Sequence, residues 1–206
     1  MRGLTMQHLP LPLLLSLMVA ASATSAQQQQ GLWIDPRTRS LQIEHVGPFV
    51  STANDGILCV KDDTALISHD NGATCQAHPI FHQRKLRIRP EHALLRTSKD
   101  VIVCVFMDDL DKRWNWNQQT NSADGQIWLY VWSIRSLDQG RTWTDLCQIQ
   151  SGYCGAIRDM IETDAGNLVV PAMRYLPDGA RHATVPYIST DQGLTWKETG
   201  LLDIGG

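Results

Sequence analysis

The 206-residue sequence contains no run of lysine and arginine and no marked excess of either charge. Its formal net charge at pH 7 is −3, from 18 basic and 21 acidic residues. Proteins that bind nucleic acid present a concentrated basic patch, so this composition argues against a nucleic-acid partner. The five cysteines lack the close pairing of a zinc site, and no other spacing of metal ligands is present. We therefore expect no metal and no cofactor.

Long apolar runs are missing except at the N terminus. Arg2 precedes an apolar run over 9–21, and small residues follow up to Ala26. This order is typical of a secretory signal peptide, and the run is too short for a membrane-spanning helix. We expect residues 1–26 to be a signal peptide cleaved after Ala23 or Ala26, and 27–44 to be a polar spacer and lead-in. The mature protein is then secreted or periplasmic and has no membrane attachment.

Helical periodicity is also missing beyond the signal peptide, and the sequence contains a repeat instead. The motif Ser-x-Asp-x-Gly-x-Thr-Trp occurs at 136–143 and 189–196, and a third copy at 68–75 ends in cysteine. The aspartates occupy positions 70, 138 and 191, so they lie 68 and 53 residues apart. Repeats of about this length are typical of propellers and solenoids.

Each motif copy lies among short segments rich in β-branched and aromatic residues, which predict four strands per unit. We place the units at 45–80, 86–150 and 155–203. Units of four strands that repeat in this way predict an all-β protein with the blades of a β-propeller. The alternative is a β-sandwich with coincidental repeats, which three aligned motif copies make a poorer explanation.

The motif itself has the chemistry of a tight turn between the last two strands of a unit. Its aspartate can accept hydrogen bonds from the backbone that follows, and its glycine tolerates a positive φ. Its tryptophan can pack between neighbouring blades. We therefore interpret the motif as a repeated structural turn rather than as an active site.

The cysteines divide into two kinds of position. Cys59 and Cys104 lie in apolar strand segments and are expected to be buried. Cys147 and Cys154 flank a short loop and could form a disulfide, a question that spacing leaves open.

Ser-x-Asp-x-Gly-x-Thr-Trp resembles the Asp-box, or bacterial neuraminidase repeat, of the sialidase superfamily, over essentially the whole mature chain. The resemblance implies a six-bladed propeller, of which about three blades are present. It also implies an exo-acting glycoside hydrolase whose partner is a glycan or glycoconjugate carrying sialic acid or a similar acidic sugar. The alternative is a non-catalytic propeller that binds glycan or protein.

The family's remaining arginines and its Tyr–Glu pair would lie in later blades. We therefore expect this chain to be an N-terminal part of a longer protein. Oligomerisation is expected only if the short chain is the whole protein, because three blades do not close a ring.

In a propeller, the Asp-box turns occupy one face, so the site is predicted in the loops of the other face. The family has an Arg-Ile-Pro motif at the entry to an inner strand, and residues 87–90 resemble it, with Arg89 favoured over Arg87. An acid/base aspartate follows in the next long loop. The candidates are Asp109, Asp111 and Asp124, and the resemblance does not choose among them. Candidate substrate-binding residues are Arg89, Arg87, Glu91, His92, Arg113, Trp116, Arg158, Asp159 and Arg174.

Two features of these loops have more than one possible role. Arg158 follows its motif at nearly the same distance as Arg89 and could be the equivalent residue of the next blade, or it could form an ion pair with Asp159. Trp114 and Trp116 lie in a polar loop, where they could stack on a sugar, act as a lid, or plug the gap above the blade.

Overall fold

The structure is a computed structural model that describes residues 33–38, 40, 45–177 and 181–202. The predicted signal peptide and most of the predicted spacer lie outside these residues. The chain divides into two compact units, Met1–Arg39 and Ser40–Gly206. In the first unit, Asp35 accepts hydrogen bonds from the Arg37 guanidinium at 2.7 and 3.0 Å. The described residues contain no helix that is long and apolar enough to span a membrane.

The second unit consists of antiparallel sheets, and its described part contains no helix, so the all-β prediction is confirmed. The first sheet comprises β1 (Phe49–Ser51), β2 (Ile57–Lys61), β3 (Thr64–Ser68) and β4 (Gln76–Pro79). The second comprises β5 (Ala93–Arg96), β6 (Ile102–Arg113), β9 (Trp128–Ser136) and β10 (Thr144–Gln150). A small hairpin of β7 (Trp116–Asn117) and β8 (Ser122–Ala123) is inserted between β6 and β9. The third comprises β11 (Ile161–Glu162), β12 (Leu168–Leu176), β13 (Arg181–Ser189) and β14 (Lys197–Glu198).

In each four-stranded sheet the strands pair in chain order, which is the connectivity of a propeller blade. The second sheet lies between the other two, and β6 shows why. Its residues from Ile102 to Met107 are all buried, because both faces of the strand are covered. Val103, Val105 and Met107 pack with residues of the third sheet. Ile102, Cys104 and Phe106 pack with residues of the first sheet. A strand with period-two alternation thus supplies two separate cores.

The Asp-box motifs form the turns β3–β4, β9–β10 and β13–β14, as predicted. In the second copy, Asp138 Oδ1 accepts the backbone N–H of Thr142 at 2.8 Å, and Oδ2 accepts its hydroxyl at 2.7 Å. Ser136 Oγ donates to Asp138 and accepts the N–H of Gly140. The other two copies repeat these bonds. Burial raises the pKa of Asp138, but the hydrogen bonds outweigh it and the net pKa is lowered.

Each complete Asp-box also packs against the preceding sheet. Gly140 has φ +89°, and a Cβ at this position would lie 2.0 Å from Leu58 Cδ1 of β2. A Cβ at Gly193 would lie 2.9 Å from Val103 of β6. Trp143 is buried in the core shared by the first two sheets and donates its indole N–H to the Gly140 carbonyl at 3.0 Å. The motif is therefore both a turn and an intersheet contact.

All five cysteines are free thiols. Cys59, Cys104 and Cys154 are buried, whereas Cys75 is exposed. The possible disulfide between Cys147 and Cys154 is not formed. Cys154 instead donates its thiol hydrogen to the Ala156 carbonyl at 3.3 Å.

Candidate functional site

The connections opposite the Asp-box turns form a surface that we call the loop face. It comprises the β2–β3 turn, loop 80–92, the β6–β9 connection and loop 151–160. Ile88 bridges the β2–β3 turn at Asp62 on one side and the middle of β6 at Asp108 on the other. Among the described residues, no group of three or more His, Cys, Asp and Glu could hold a metal ion.

Arg89 and Asp109 form the centre of the loop face. Arg89 Nη1 lies 3.3 Å from Asp109 Oδ1, and Arg89 Nε donates to Glu91 Oε2 at 3.1 Å. Backbone pairing produces this contact. The Arg89 N–H donates to the Met107 carbonyl, and the Asp109 N–H donates to the Arg87 carbonyl. The structure thus brings together four candidate residues, Arg87, Arg89, Glu91 and Asp109, on backbone that is hydrogen-bonded to β6.

The Asp109 carboxylate is surrounded by positive charge. Lys112 Nζ donates to Oδ1 at 2.7 Å, and this bond is the largest cause of a lowered pKa. The charges of Lys112, Arg89 and Arg87 lower the pKa further. Asp109 is therefore held in its ionised form and suits the role of an acceptor rather than a proton donor. Sequence reasoning missed Lys112, because on a regular strand residues three apart lie on opposite faces. The irregular pairing between Met107 and Lys112 of β6 is a feature of the structure.

Arg87 and Arg89 belong to different clefts. Arg87 lines a cleft of about 540 Å³ with Asp62 and Arg84. Arg89 lines one of about 300 Å³ that includes Lys61 and His92. The Arg87 side chain has no hydrogen bond or ion pair with any residue that the structure describes, whereas its backbone N–H donates to the buried Asp108 carboxylate at 2.9 Å. Asp108 also accepts the backbone N–H of Leu110, so its carboxylate fixes the backbone at two positions of the loop face.

His92 supports the segment that carries Arg89. It is 5% exposed, and its Nδ1 lies 2.9 Å from the Arg89 carbonyl oxygen. Because a carbonyl only accepts, Nδ1 must carry the hydrogen. Burial lowers the pKa of His92, so the ring is neutral at physiological pH. Its Nε2 is buried without a partner in the described part of the chain. His92 therefore holds backbone in place.

The other two candidate aspartates differ in their partners. Asp111 accepts the indole N–H of Trp128 at 2.7 Å, and the Arg113 guanidinium lies 5.5 Å from the centre of the same indole ring. Asp124 is exposed, and its carboxylate has no hydrogen bond or ion pair with any described residue. Its backbone N–H donates to the Asn115 carbonyl at 2.8 Å, which closes the hairpin on which Asp124 lies.

An aromatic cluster stands beside this centre. Trp114 stacks on Trp116 with ring centroids 5.5 Å apart, and it contacts Tyr153 at 4.5 Å. Tyr175 meets Trp114 edge-on at 6.2 Å. Burial raises the pKa of Tyr153, and the charge of Arg89 opposes that rise. Backbone pairing connects the cluster to the arginine centre, because Leu129 bridges Tyr153 and pairs with Lys112, whose ammonium contacts Asp109.

Arg174 lies elsewhere. Its guanidinium donates two hydrogen bonds to Glu198, at 3.0 and 2.7 Å, and one to the Tyr187 hydroxyl at 2.6 Å. Tyr187 in turn donates to Gln150 of the second sheet at 3.0 Å. Arg174 thus belongs to a hydrogen-bond network between two sheets. Its location near the end of a predicted strand did not indicate this network.

Arg158 and Asp159 are exposed, and the alternative of an ion pair between them is not realised. Asp159 accepts the N–H of Met160 at 2.8 Å instead. The Arg158 side chain has no hydrogen bond or ion pair with a described residue, and none joins it to Arg89.

Comparisons with known proteins agree with the fold. The family model described as BNR/Asp-box repeat matches residues 187–198, which span the third Asp-box turn. The Hadza microbial sialidase Hz136 superposes with a TM-score of 0.52 at 14% identity, covering 76% of this chain and 37% of that one. This chain contains a BNR/Asp-box repeat and has a fold similar to that of a sialidase.

A second solved structure supports the same fold for the Asp-box chain. A protein of unknown function from Dyadobacter fermentans DSM 18053 superposes with a TM-score of 0.52 at 15% identity, covering 80% of this chain and 58% of that one. The chain thus spans less than two thirds of both structural relatives. A search of curated proteins found no match.

Proposed function

We propose that this chain forms part of an exported, exo-acting glycoside hydrolase of the sialidase type, which removes an acidic sugar from glycoconjugates. The observation that carries the proposal is the Arg89 centre. A half-buried guanidinium stands on strand-paired backbone, on the face of a sialidase-like fold that the Asp-box turns leave free. A guanidinium recognises a carboxylate through two parallel hydrogen bonds, which selects an acidic sugar over a neutral one.

Glu91 and Asp109 orient Arg89 in the absence of substrate. Each contributes a carboxylate oxygen at 3.1 or 3.3 Å, so the guanidinium is held by charge from two sides. A substrate carboxylate would compete with these partners for the exposed part of the guanidinium. Lys112 keeps Asp109 ionised, so the negative partner is retained at neutral pH while the sugar binds.

We assign the acid/base role to Asp124. Proton transfer to the leaving oxygen of a glycoside requires a carboxyl group that is not already engaged by other side chains and can reach that oxygen. Asp109 is a poor donor because its pKa is lowered. Asp111 is engaged by the Trp128 indole. Asp124 alone among the three candidates has a carboxylate free of described partners, on a hairpin beside the aromatic cluster.

The test is release of fluorophore from a fluorogenic α-sialoside by the protein at its full native length. Arg89→Ala should lower kcat/KM by about a hundredfold or more, since a charge-assisted bidentate contact contributes about 3 kcal/mol. Arg141→Ala is the matched control, because Arg141 is an exposed arginine on the Asp-box turn of the opposite face. Equal rates for the two variants would refute the assignment of Arg89.

For substrates with poor leaving groups, Asp124→Asn should abolish turnover and change KM little. The substitution removes proton transfer and leaves sugar binding in place. Asp111→Asn is its control on the same connection. An Asp124→Asn variant with wild-type kcat at all pH values would overturn the acid/base assignment.

The second candidate is a non-catalytic propeller that binds an acidic glycan. The internal ion pairs of Arg89 favour it, because a guanidinium already held by two carboxylates also suits reversible binding. Under this alternative the sialoside would bind in an Arg89-dependent manner while no fluorophore is released. Titration calorimetry with sialic acid, run beside the rate assay, separates the two functions.

A further inference from the structure

Segment 84–87 places three cationic side chains in one cleft of the loop face. Arg84, Lys85 and Arg87 all line the cleft of about 540 Å³, and all three are exposed. None of them has an ion pair with a residue that the structure describes. Other arginines of the structure do have carboxylate partners, namely Arg89, Arg96, Arg135 and Arg174. Cations that share a cleft without partners repel one another, so an anion that enters the cleft is attracted by all three.

Arg84 is held in position by an aromatic ring. Its guanidinium carbon lies 4.3 Å from the centre of the Trp132 ring, and Trp132 is 6% exposed and therefore fixed by the core. A guanidinium that stacks on a ring keeps its N–H groups at its edge, where a ligand can accept them. A donor whose position is fixed before the ligand arrives loses less entropy on binding.

The remaining walls of the cleft limit the size and charge of a ligand. Asp62 and Asp63 of the β2–β3 turn line one side. Phe81, whose ring lies 5.6 Å from that of Phe106, adds an apolar wall. The volume falls within the range of about 300–1,000 Å³ that small-ligand sites occupy. The two carboxylates leave the five charged side chains of the cleft with a net charge of +1, which suits one anionic group and disfavours a polyanion.

We propose that Arg84, Lys85 and Arg87 form a second anion site, separate from the Arg89 centre, which binds a sulfate or phosphate ester on the glycan. Such an ester has three terminal oxygens, so donors can approach it from three directions. A carboxylate has two oxygens in one plane, which a single guanidinium satisfies. The inference rests on the proposed function in one respect, because it takes the ester to belong to the glycan whose acidic sugar occupies the Arg89 centre.

The second anion site adjoins the Arg89 centre. Asp62 lines both the cleft of about 540 Å³ and the cleft of about 300 Å³ that contains Arg89. The charge of Arg87 also contributes to the lowered pKa of Asp109, which is the partner of Arg89. One glycan that carries an acidic sugar and a neighbouring ester can therefore reach both sites. The substrate class that follows is a sialoglycan with a second, tetrahedral anionic group.

The first measurement is an NMR titration of the full-length protein with N-acetylglucosamine that is sulfated or phosphorylated at its primary hydroxyl. Ionic strength is kept constant, because salt screens exposed charges. Lys85→Ala should raise Kd for the ester by about tenfold, equivalent to about 1.4 kcal/mol, because one of three cations is lost. Lys85→Arg, which keeps the charge, should stay within about threefold of wild type. Lys99→Ala is the matched control, since Lys99 is an exposed lysine on the β5–β6 turn of the opposite face.

Lys85 is preferred to Arg84 for this test, because loss of Arg84 also removes its contact with Trp132. The tighter of the two esters identifies the glycan as sulfated or phosphorylated, and either result supports the site. Glucuronic acid, which carries a planar carboxylate, should bind more weakly than both esters. The proposal is overturned if unmodified N-acetylglucosamine or glucuronic acid binds as tightly as the esters. It is also overturned if Lys85→Ala binds the esters as wild type does.

The second measurement compares kcat/KM for two α-sialyl glycosides that differ only in a sulfate on the sugar next to the sialic acid. Lys85→Ala should lower the ratio of sulfated to unsulfated substrate by about tenfold, whereas Arg89→Ala should lower both rates. Ester binding that depends on Lys85, without hydrolysis of either glycoside, upholds the second anion site and refutes the proposed catalysis. Hydrolysis of both glycosides with ester binding independent of Lys85 upholds the catalysis and refutes the second anion site.

Discussion

Substitution of Gly140 by alanine tests whether the Asp-box is an intersheet contact as well as a turn. Two costs add at this position. The backbone has φ +89°, which costs a residue with a side chain about 1–2 kcal/mol. The new Cβ would also lie 2.0 Å from Leu58 Cδ1. Leu58 is completely buried, so it has no free space in which to move, and such overpacking costs about 1–3 kcal/mol. We expect Gly140→Ala to lower the free energy of unfolding by about 2–5 kcal/mol in total.

Two other glycines supply internal controls for the separate costs. Gly125 has φ +71°, and no atom lies within 4 Å of an added Cβ. Gly125→Ala should therefore lower the free energy of unfolding only by the backbone cost of about 1–2 kcal/mol. Gly193 has φ +80° and an added Cβ 2.9 Å from Val103, so Gly193→Ala should fall between the other two.

Urea denaturation followed by tryptophan fluorescence measures all three variants, with the slope of the transition checked for constancy. The expected order of destabilisation is Gly140→Ala, then Gly193→Ala, then Gly125→Ala. The reasoning is refuted if Gly140→Ala and Gly125→Ala agree within about 0.5 kcal/mol, a difference that the method resolves. That result would mean that the turn conformation alone accounts for the glycine.

Two further predictions concern ionisable groups. Hydrogen bonds from Arg174 lower the pKa of Glu198 from its usual 4.5, so the stability that this pair contributes is complete at neutral pH and is lost as the pH falls from about 4.5 through the lowered pKa. Because Glu198 is 44% exposed, Glu198→Gln should reduce the stability difference between pH 7 and pH 3 by about 0.2–1 kcal/mol. An unchanged pH profile would contradict this prediction. Burial raises the pKa of the Cys154 thiol to about 11. Iodoacetamide should therefore modify the exposed Cys75 in the folded protein but Cys154 only in urea, and peptide mass mapping measures both reactions. Equal rates of modification in the folded state would count against this prediction.

Local chemistry made much of the fold predictable. The Asp-box acts through bonds within eight residues, so its turn geometry follows from residue identity alone. Enrichment in β-branched and aromatic residues between turn residues likewise identified the inner strands. Strand propensity was less informative for the short edge strands, such as β11 and β14 with two residues each. These strands bury few side chains, so their pairing depends little on residue type.

The candidate site was predictable only in part. Arg89 and Asp109 are 20 residues apart in the chain, and their contact depends on backbone pairing between loop 80–92 and the middle of β6. Sequence could place both on one face, but it could not distinguish Asp109, with its lysine partner, from the free Asp124. Arg174 illustrates the same limit, since its partner Glu198 lies across two strand pairings.

The sequence by itself determined the all-β class, the three Asp-box turns and the face on which polar and aromatic residues gather. These properties arise from short-range hydrogen bonding and from residue periodicity, which neighbours in the chain decide. Only the tertiary structure decided which carboxylates are paired, which tryptophan is buried and which is exposed, and how the β7–β8 hairpin contacts Tyr175 of the third sheet. Those outcomes depend on distances between segments far apart in sequence, and packing sets those distances.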